Sequence, residues 1–278
     1  MNFTKWHGLG NDFVITEWLK GEALPSADTA IKICDRYRGI GGDGWVLLLP
    51  GNEEADLTMH IFNSDGTVAE MCGNAIRCVA IYAYRNGLAS EKKVKINTLA
   101  GLKIAEIVDE EEGIVRVNMG RPQLLNKDIG VYENPDEVAL RQHVMIADRD
   151  WEYTGVSMGN PHAVFFVENA EDIALTEWGP QIETHPSFRH KINVEFASVT
   201  APNQLRMRVW ERGCGVTQAC GTGSCATLVA AVTNGLIDKE ADILLDGGTL
   251  HIEWEGGSAP VFMSGPATFV FSGETELK

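Results

Sequence analysis

Residues 59–88 read MHIFNSDGTVAEMCGNAIRCVAIYAYRNGL, and residues 207–236 read MRVWERGCGVTQACGTGSCATLVAAVTNGL. Laid over one another without gaps, Met59 meets Met207, Val68 meets Val216 and Cys72-Gly73 meets Cys220-Gly221, each 148 positions on. Asn86-Gly87-Leu88 meets Asn234-Gly235-Leu236, and the register runs on to Leu102 and Ile104 opposite Leu250 and Ile252. Self-similarity at a fixed spacing is the signature of a duplicated unit. Each copy opens on a strand-like run, 57–62 and 205–210, followed by a Gly-containing polar loop and a helix that starts at Cys-Gly. Ile76, Val79, Ala80 and Ala83 recur at helical spacing in the first helix; Ala226, Leu228, Val229 and Val232 do so in the second. Both helices, about 72–86 and 220–234, are poor in charge, so each should be the buried central helix of its half. Gly87 and Gly235 stand where a left-handed residue ends a helix.

Working outward, strand-like runs follow at 94–98, 103–108, 114–117, 163–167, 193–199, 243–245, 250–254 and 260–271. Further helices are few, with 28–36 (capped by Asp28) and 135–144 the best candidates. The pattern predicts an α+β protein of two pseudo-symmetric homologous halves, each a mixed or antiparallel sheet wrapped around a central helix. Met119-Gly120-Arg121-Pro122 and Met263-Ser264-Gly265-Pro266 read as crossover points. They divide the chain into 1–118 plus 266–278, carrying Cys72, and 119–265, carrying Cys220.

The 39 acidic against 23 basic residues, a formal charge of −16, argue against nucleic acid and anionic membrane partners, which require a basic patch. No apolar run reaches the roughly 18 residues of a membrane span, and no signal peptide is visible, so the expected location is the cytoplasm. There the six cysteines should be thiols, mostly packing residues.

Cys72 and Cys220 are different because each sits at a helix start. A free thiol has a pKa of about 8.5, and a helix N-terminus favours the thiolate by roughly 0.3–1 kcal/mol, or around one pKa unit. That predicts acid–base groups near neutrality. Two homologous halves about an approximate two-fold axis would present equivalent loops to each other. One acid–base residue per half suits inversion of a stereocentre, where a proton leaves one face of a carbon and another arrives on the opposite face. The competing reading is a pair of buried structural cysteines inherited from one ancestor, but Gly73, Gly221 and Gly223 leave room for a ligand at backbone N–H groups.

Around Met71-Cys72-Gly73-Asn74 and Ala219-Cys220-Gly221-Thr222-Gly223 the chain resembles diaminopimelate epimerase. The ordered motifs 7–13 (HGLGNDF), 62–66 (FNSDG), 158–162 (MGNPH), 193–196 (NVEF) and 211–213 (ERG) extend the likeness over essentially the whole length. The resemblance implies an isomerase without pyridoxal phosphate or metal that interconverts LL- and meso-diaminopimelate for lysine and cell-wall synthesis, and a homodimer. It implies Cys72 and Cys220 as the catalytic pair. The substrate side chains it implies are Asn11, Asn63, Asn160, Asn193, Glu211 and Arg212, with Gly73-Asn74 and Gly221-Thr222 supplying backbone contacts. An arginine fork suits a distal carboxylate, while Glu211 and amide oxygens suit an ammonium. Without the resemblance, Glu211-Arg212 would be an exposed loop pair and the asparagines turn formers. His162 and His7 read as hydrogen-bonded structural groups, His162 near the site.

Three positions depart from the family pattern: Gly44 where glutamine is frequent, Val216 where glutamate is, and Cys214 where alanine is. A proline-racemase-like enzyme is the nearest alternative. It would leave Glu211, Arg212 and the asparagines without a purpose, and Asn74 stands where that family usually shows histidine. A thiol redox or sensor protein is an alternative of another class. A nucleotide-binding loop at 219–224 fails for want of a Walker lysine.

Overall fold

The computed structural model describes residues 1–20 and 23–276. The chain divides into two units, Met1–Asn118 with Ser264–Lys278, and Met119–Met263. The first holds β1 (Asn2–Gly8), β2 (Asn11–Glu17), α1 (Ala27–Cys34), β3 (Gly44–Pro50), β4 (Leu57–Asn63), β5 (Val68–Ala69), α2 (Gly73–Arg85), β6 (Lys93–Thr98), β7 (Gly101–Asp109) and β8 (Ile114–Gly120). The second holds β9 (Gln142–Ile146), β10 (Arg149–Ser157), β11 (Pro161–Phe166), α3 (Leu175–Glu183), β12 (Asn193–Ala201), β13 (Gln204–Glu211), β14 (Gly215–Val216), α4 (Gly221–Thr233), β15 (Glu240–Leu245), β16 (Gly248–Trp254) and β17 (Val261–Pro266). Strand β18 (Thr268–Glu274) returns to the first unit and pairs antiparallel with β1.

The two sheets share one pairing scheme. In the first, β1–β2 is antiparallel, β2–β3 parallel, β3–β4 antiparallel, β4–β6 parallel and β6–β7 antiparallel. In the second, β10–β11, β11–β12, β12–β13, β13–β15 and β15–β16 repeat that order of senses. Helix α2 packs against β1, β2, β6 and β7, and α4 against β10, β11, β12, β13, β15 and β16. This is the expected mixed-sheet α+β architecture wrapped around central helices.

Burial explains why these two segments are helices. Ala75, Ile76, Val79, Ala80, Ile81 and Ala83 of α2 are fully enclosed, as are Cys225, Ala226, Leu228, Val229, Ala230 and Ala231 of α4. Helices whose apolar residues cover so much of their surface are enclosed by the sheet they pack on. Gly87 and Gly235 follow the ends with φ of 73° and 71°, a left-handed geometry that glycine adopts without a Cβ clash.

The opposite face of each sheet carries a second core. In the first unit Ala30 and Ile33 of α1 pack with Phe3, Val14, Trp45, Leu47 and Phe62. In the second, Leu175 and Ile182 of α3 pack with Trp151, Tyr153, Phe165, Phe188 and Phe196. Helix α1 is capped by Ser26, whose Oγ accepts from Thr29 N at 3.2 Å, and Asp28 lies in its first turn instead of capping it.

The helix expected at 135–144 does not form. Ala139 N donates to Leu124 O at 2.7 Å, Leu125 and Val138 make an isolated antiparallel bridge, and β9 begins at Gln142. Tertiary partners have taken the backbone donors that a helix would have used. Helix α3 appears where none was expected. Gly179 and Pro180 read as helix breakers, yet a Cβ at Gly179 would lie 2.5 Å from the Trp210 ring. The glycine is the gap into which β13 packs its indole. The duplication held the missing signal, since Leu175 stands 148 positions after Ala27, the first residue of α1.

Candidate active site

Cys72 and Cys220 occupy the same local position, the extended residue that caps a central helix, with φ and ψ of −138° and 120°, and −121° and 109°. Their surroundings differ.

In the first unit, Cys72 is half-buried and its Sγ lies 3.8 Å from Asn11 Oδ1. Asn11 opens β2 after the tight turn at Leu9-Gly10, which His7 braces by accepting from Gly10 N at 3.2 Å. Asn74 Nδ2 also donates to Asn11 Oδ1, at 3.0 Å, and Asn11 Nδ2 donates to Asp43 Oδ2 at 2.9 Å. Behind this cluster lies Arg77, the one charged residue of α2 before its last turn and wholly buried. Its guanidinium donates to Gly73 O at 3.1 Å, Asn74 Oδ1 at 2.9 Å and Pro266 O at 3.2 Å. Asp12, Arg36 and Asp43 interlock around the outer rim, with Lys5 beneath Asp12. Burial alone would raise the Asp12 carboxyl, but the Arg36 and Lys5 charges hold it down at about 2. Asn63 stands apart, at the end of β4, where its amide donates to Thr67 Oγ1 at 2.9 Å. Asn63 lies opposite Gly44 across β3–β4, and a Cβ at Gly44 would sit 3.0 Å from Phe62 O and 3.2 Å from the Phe13 ring. In this chain the backbone and Phe13 occupy the room that a longer residue would take.

In the second unit, Cys220 is 5% exposed, and its sulfur accepts from Gly223 N at 3.3 Å and lies 3.6 Å from Thr222 Oγ1. Asn160 Nδ2 donates to Thr222 Oγ1 at 3.3 Å, and Asn160 Oδ1 meets His162 Nε2 at 3.1 Å. His162 is fully buried, with Nδ1 2.6 Å from Glu195 Oε1. The other Glu195 oxygen has no hydrogen-bond partner among the described residues. Glu211, at the end of β13, accepts from Thr217 Oγ1 at 2.5 Å, and the Cys220 side chain also favours its ionised form. Burial raises the Glu211 carboxyl, against the pull of those two side chains. Asn193 spends its amide on backbone, donating to Pro161 O at 2.8 Å and accepting from Arg212 N at 2.9 Å. Glu183, from the last turn of α3, accepts from Gly213 N at 3.0 Å, so both groups set the course of the 211–213 loop. The exposed Arg212 side chain donates to His190 O at 3.1 Å.

The expectation of two thiols near neutrality fails at Cys220. Burial and the carboxylates of Glu211 and Glu195 push this thiol well above its ordinary range, and the Gly223 N–H and Thr222 hydroxyl only partly oppose them. A helix end favours the thiolate by about one pKa unit, which desolvation and two nearby acids outweigh. Burial and the two acids therefore favour the protonated form of Cys220. Cys34 and Cys78, pushed by burial to about 11 and about 12, are inert packing residues.

A family model for diaminopimelate epimerase matches residues 3–125 and 154–270. The chain belongs to the diaminopimelate epimerase family. Among the relatives in that family of isomerases, the diaminopimelate epimerase of Heliobacterium modesticaldum is 44% identical over the full length of both chains. That of Pelotomaculum thermopropionicum is 48% identical over 99% of this chain and 98% of its own. Solved structures that share the fold include a probable proline racemase from Agrobacterium radiobacter, with a TM-score of 0.71 and 16% identity over 100% of this chain and 93% of that one. A hydroxyproline epimerase from Agrobacterium vitis has a TM-score of 0.69 at 17% identity, over 98% and 91%. At such identities the likeness is one of fold alone. Among the described residues no helix is long and apolar enough to cross a membrane.

Three groups escaped the sequence reading: Arg77, Glu195 and Glu183. Two had a visible signal. Arg77 is a lone charge inside an apolar helix, and Glu195 is a lone charge inside the buried strand β12. A charged residue in an enclosed element is retained only with a partner.

Proposed function

We propose that this chain interconverts LL- and meso-diaminopimelate, with Cys72 and Cys220 as the two acid–base groups and one homologous epimerase half contributing each. The observation that carries the reading is the equivalence of the two cysteines. Each caps the central helix of a unit with the same strand order, and each has an asparagine from the first residue of, or the residue before, the second strand of that order at its helix start. In one direction the Cys72 thiolate takes the α-proton and the Cys220 thiol gives its proton to the opposite face. The stereocentre inverts, and the enzyme is left with the two protonation states exchanged. The proton balance closes within the chain's own side chains.

The helix N–H groups after Gly73-Asn74 and Gly221-Thr222 suit the carboxylate of the reacting centre, where charge accumulates as the proton leaves. Asn11, Asn63, Asn160 and Glu211 offer acceptors for ammonium groups, and the exposed Arg212 guanidinium offers a fork for the distal carboxylate. Asn193 serves by fixing the Arg212 backbone. The reaction belongs in the cytoplasm with biosynthesis of lysine and wall precursors. The family homodimer is supported by β18, whose Phe269, Val270 and Phe271 are each more than two-fifths exposed; light scattering on a Val270→Glu variant should read a monomer.

The direct test is incubation of purified protein with LL-diaminopimelate in deuterated water without added cofactor. Deuterium should enter the α-position together with a change of configuration. Single Cys72→Ala and Cys220→Ala variants should lose at least about 100-fold in rate. Isotope exchange that survives both substitutions in one chain would sink the assignment.

A further inference from the structure

Asn11 is an amide, and an amide side chain has two ends of similar size and opposite chemistry. Which end faces Cys72 is ordinarily set only by the neighbours. Here both ends of a four-residue chain are fixed by groups that cannot change role. Arg77 has donors and no acceptors, and it donates to Asn74 Oδ1 at 2.9 Å. That turns Asn74 Nδ2 outward, where it donates to Asn11 Oδ1 at 3.0 Å. At the far end Asp43, held by Arg36, has carboxylate oxygens to offer, and it accepts from Asn11 Nδ2 at 2.9 Å. The orientation runs in one sense from the buried cation to the rim carboxylate, and it leaves the Asn11 oxygen 3.8 Å from the Cys72 sulfur.

We infer that Arg77 and Asp43 are positioning residues that lock the Asn11–Asn74 amide pair in one polarity, so that Asn11 always presents its oxygen to Cys72 and to the bound substrate. The inference rests on the proposed reaction for its kinetic readout only. In the second unit the equivalent contact has the opposite sense, since Asn160 gives its NH2 to Thr222 beside Cys220. Position 225, opposite Arg77 in the repeat, is a cysteine. The lock therefore distinguishes one thiol from the other.

With Asp43→Ala the Asn11 amide loses the acceptor for its NH2 and can turn that group toward the sulfur, which favours the thiolate. Two measurements follow. Alkylation of Cys72 by iodoacetamide, followed by peptide mass spectrometry and needing no substrate, should accelerate at least threefold. The KM for diaminopimelate should rise about tenfold with kcat within threefold and the melting temperature within a few degrees of the parent. Asp43→Asn keeps an acceptor oxygen for the same amide and should return both readouts to within threefold of the parent. Arg77→Lys, which keeps the charge but not the fork, should behave as Asp43→Ala does; if it fails to fold, the two Asp43 variants still decide. Unchanged alkylation and KM in Asp43→Ala would overturn the inference. So would an Asp43→Asn variant as impaired as Asp43→Ala, because the loss would then belong to the Arg36 ion pair. A parent enzyme inactive on diaminopimelate refutes the proposed reaction and leaves the alkylation test standing.

Discussion

The start of α2 and the start of α4 share a backbone but not an electrostatic environment. Beside Cys72 the buried charge is the guanidinium of Arg77, and the amide that meets the sulfur offers oxygen. Beside Cys220 stand the carboxylates of the buried Glu195 and the half-buried Glu211, and the sulfur accepts a cap bond from Gly223 N. The difference extends to one methyl group. Ala75 of α2 corresponds to Gly223 of α4, and a Cβ at Gly223 would lie 2.8 Å from Glu195 Oε1 and 3.2 Å from the Cys220 sulfur. A duplicated scaffold thus places two equivalent cysteines in different electrostatic surroundings.

The sharpest way to break the comparison is at Glu211. Glu211→Gln removes a carboxylate from beside Cys220, so that thiol should titrate at lower pH than in the parent, followed by thiolate absorbance against a Cys220→Ala reference. The same change removes a charged acceptor for a substrate ammonium, an interaction of about 1.5–3 kcal/mol, or about 10- to 100-fold in KM. A Cys220 titration that moves upward or stays still contradicts the carboxylate account.

Next comes the glycine. Gly223→Ala should cost about 1–3 kcal/mol in urea unfolding, the usual range for overpacking, and should slow epimerisation by displacing Glu195 or Cys220. The mirror change Ala75→Gly should cost only about 0.5–1 kcal/mol, from backbone entropy. Equal costs at the two positions would mean that the carboxylate side is no tighter than the other.

The ionic rim of the Cys72 side supplies a pH dependence. Asp12 has a folded pKa of about 2 against an ordinary 3.8, and its side chain is 15% exposed. A depressed carboxylate stabilises the fold fully above its unfolded pKa and loses that contribution as pH falls from about 4 toward about 2. Allowing for solvent screening, the contribution is about 1–2 kcal/mol. Acid unfolding of Asp12→Asn should lack this component, while its stability at neutral pH should fall by the same amount. A neutral-pH stability equal to that of the parent would show that Arg36 and Lys5 gain nothing from the carboxylate.

Much of this was legible in the residues. The gapless repeat located both central helices and both cysteines, and poverty in charge explains why α2 and α4 lie inside. Local turn chemistry gave their ends, Gly87 and Gly235. Residues 135–144 misled because Pro-Asp-Glu resembles a helix start, whereas backbone donors there are taken by chain distant in sequence. Helix α3 was obscured because Gly179 and Pro180 interrupt a helical pattern, whereas Gly179 is a packing gap for Trp210.

The sequence by itself therefore determined the duplication, the central helices and the pair of thiols at their starts, because periodicity and helix capping are local properties. Only the tertiary structure decided the surroundings of each thiol. Asn11, whose oxygen meets the Cys72 sulfur, lies 61 positions before it, and Glu195, whose carboxylate raises Cys220, stands on a different strand. Desolvation and charge depend on distance in space, which no local pattern records. At Cys220 burial and the Glu195 and Glu211 carboxylates outweigh the helix end that suggested an activated thiol, and they favour its protonated form.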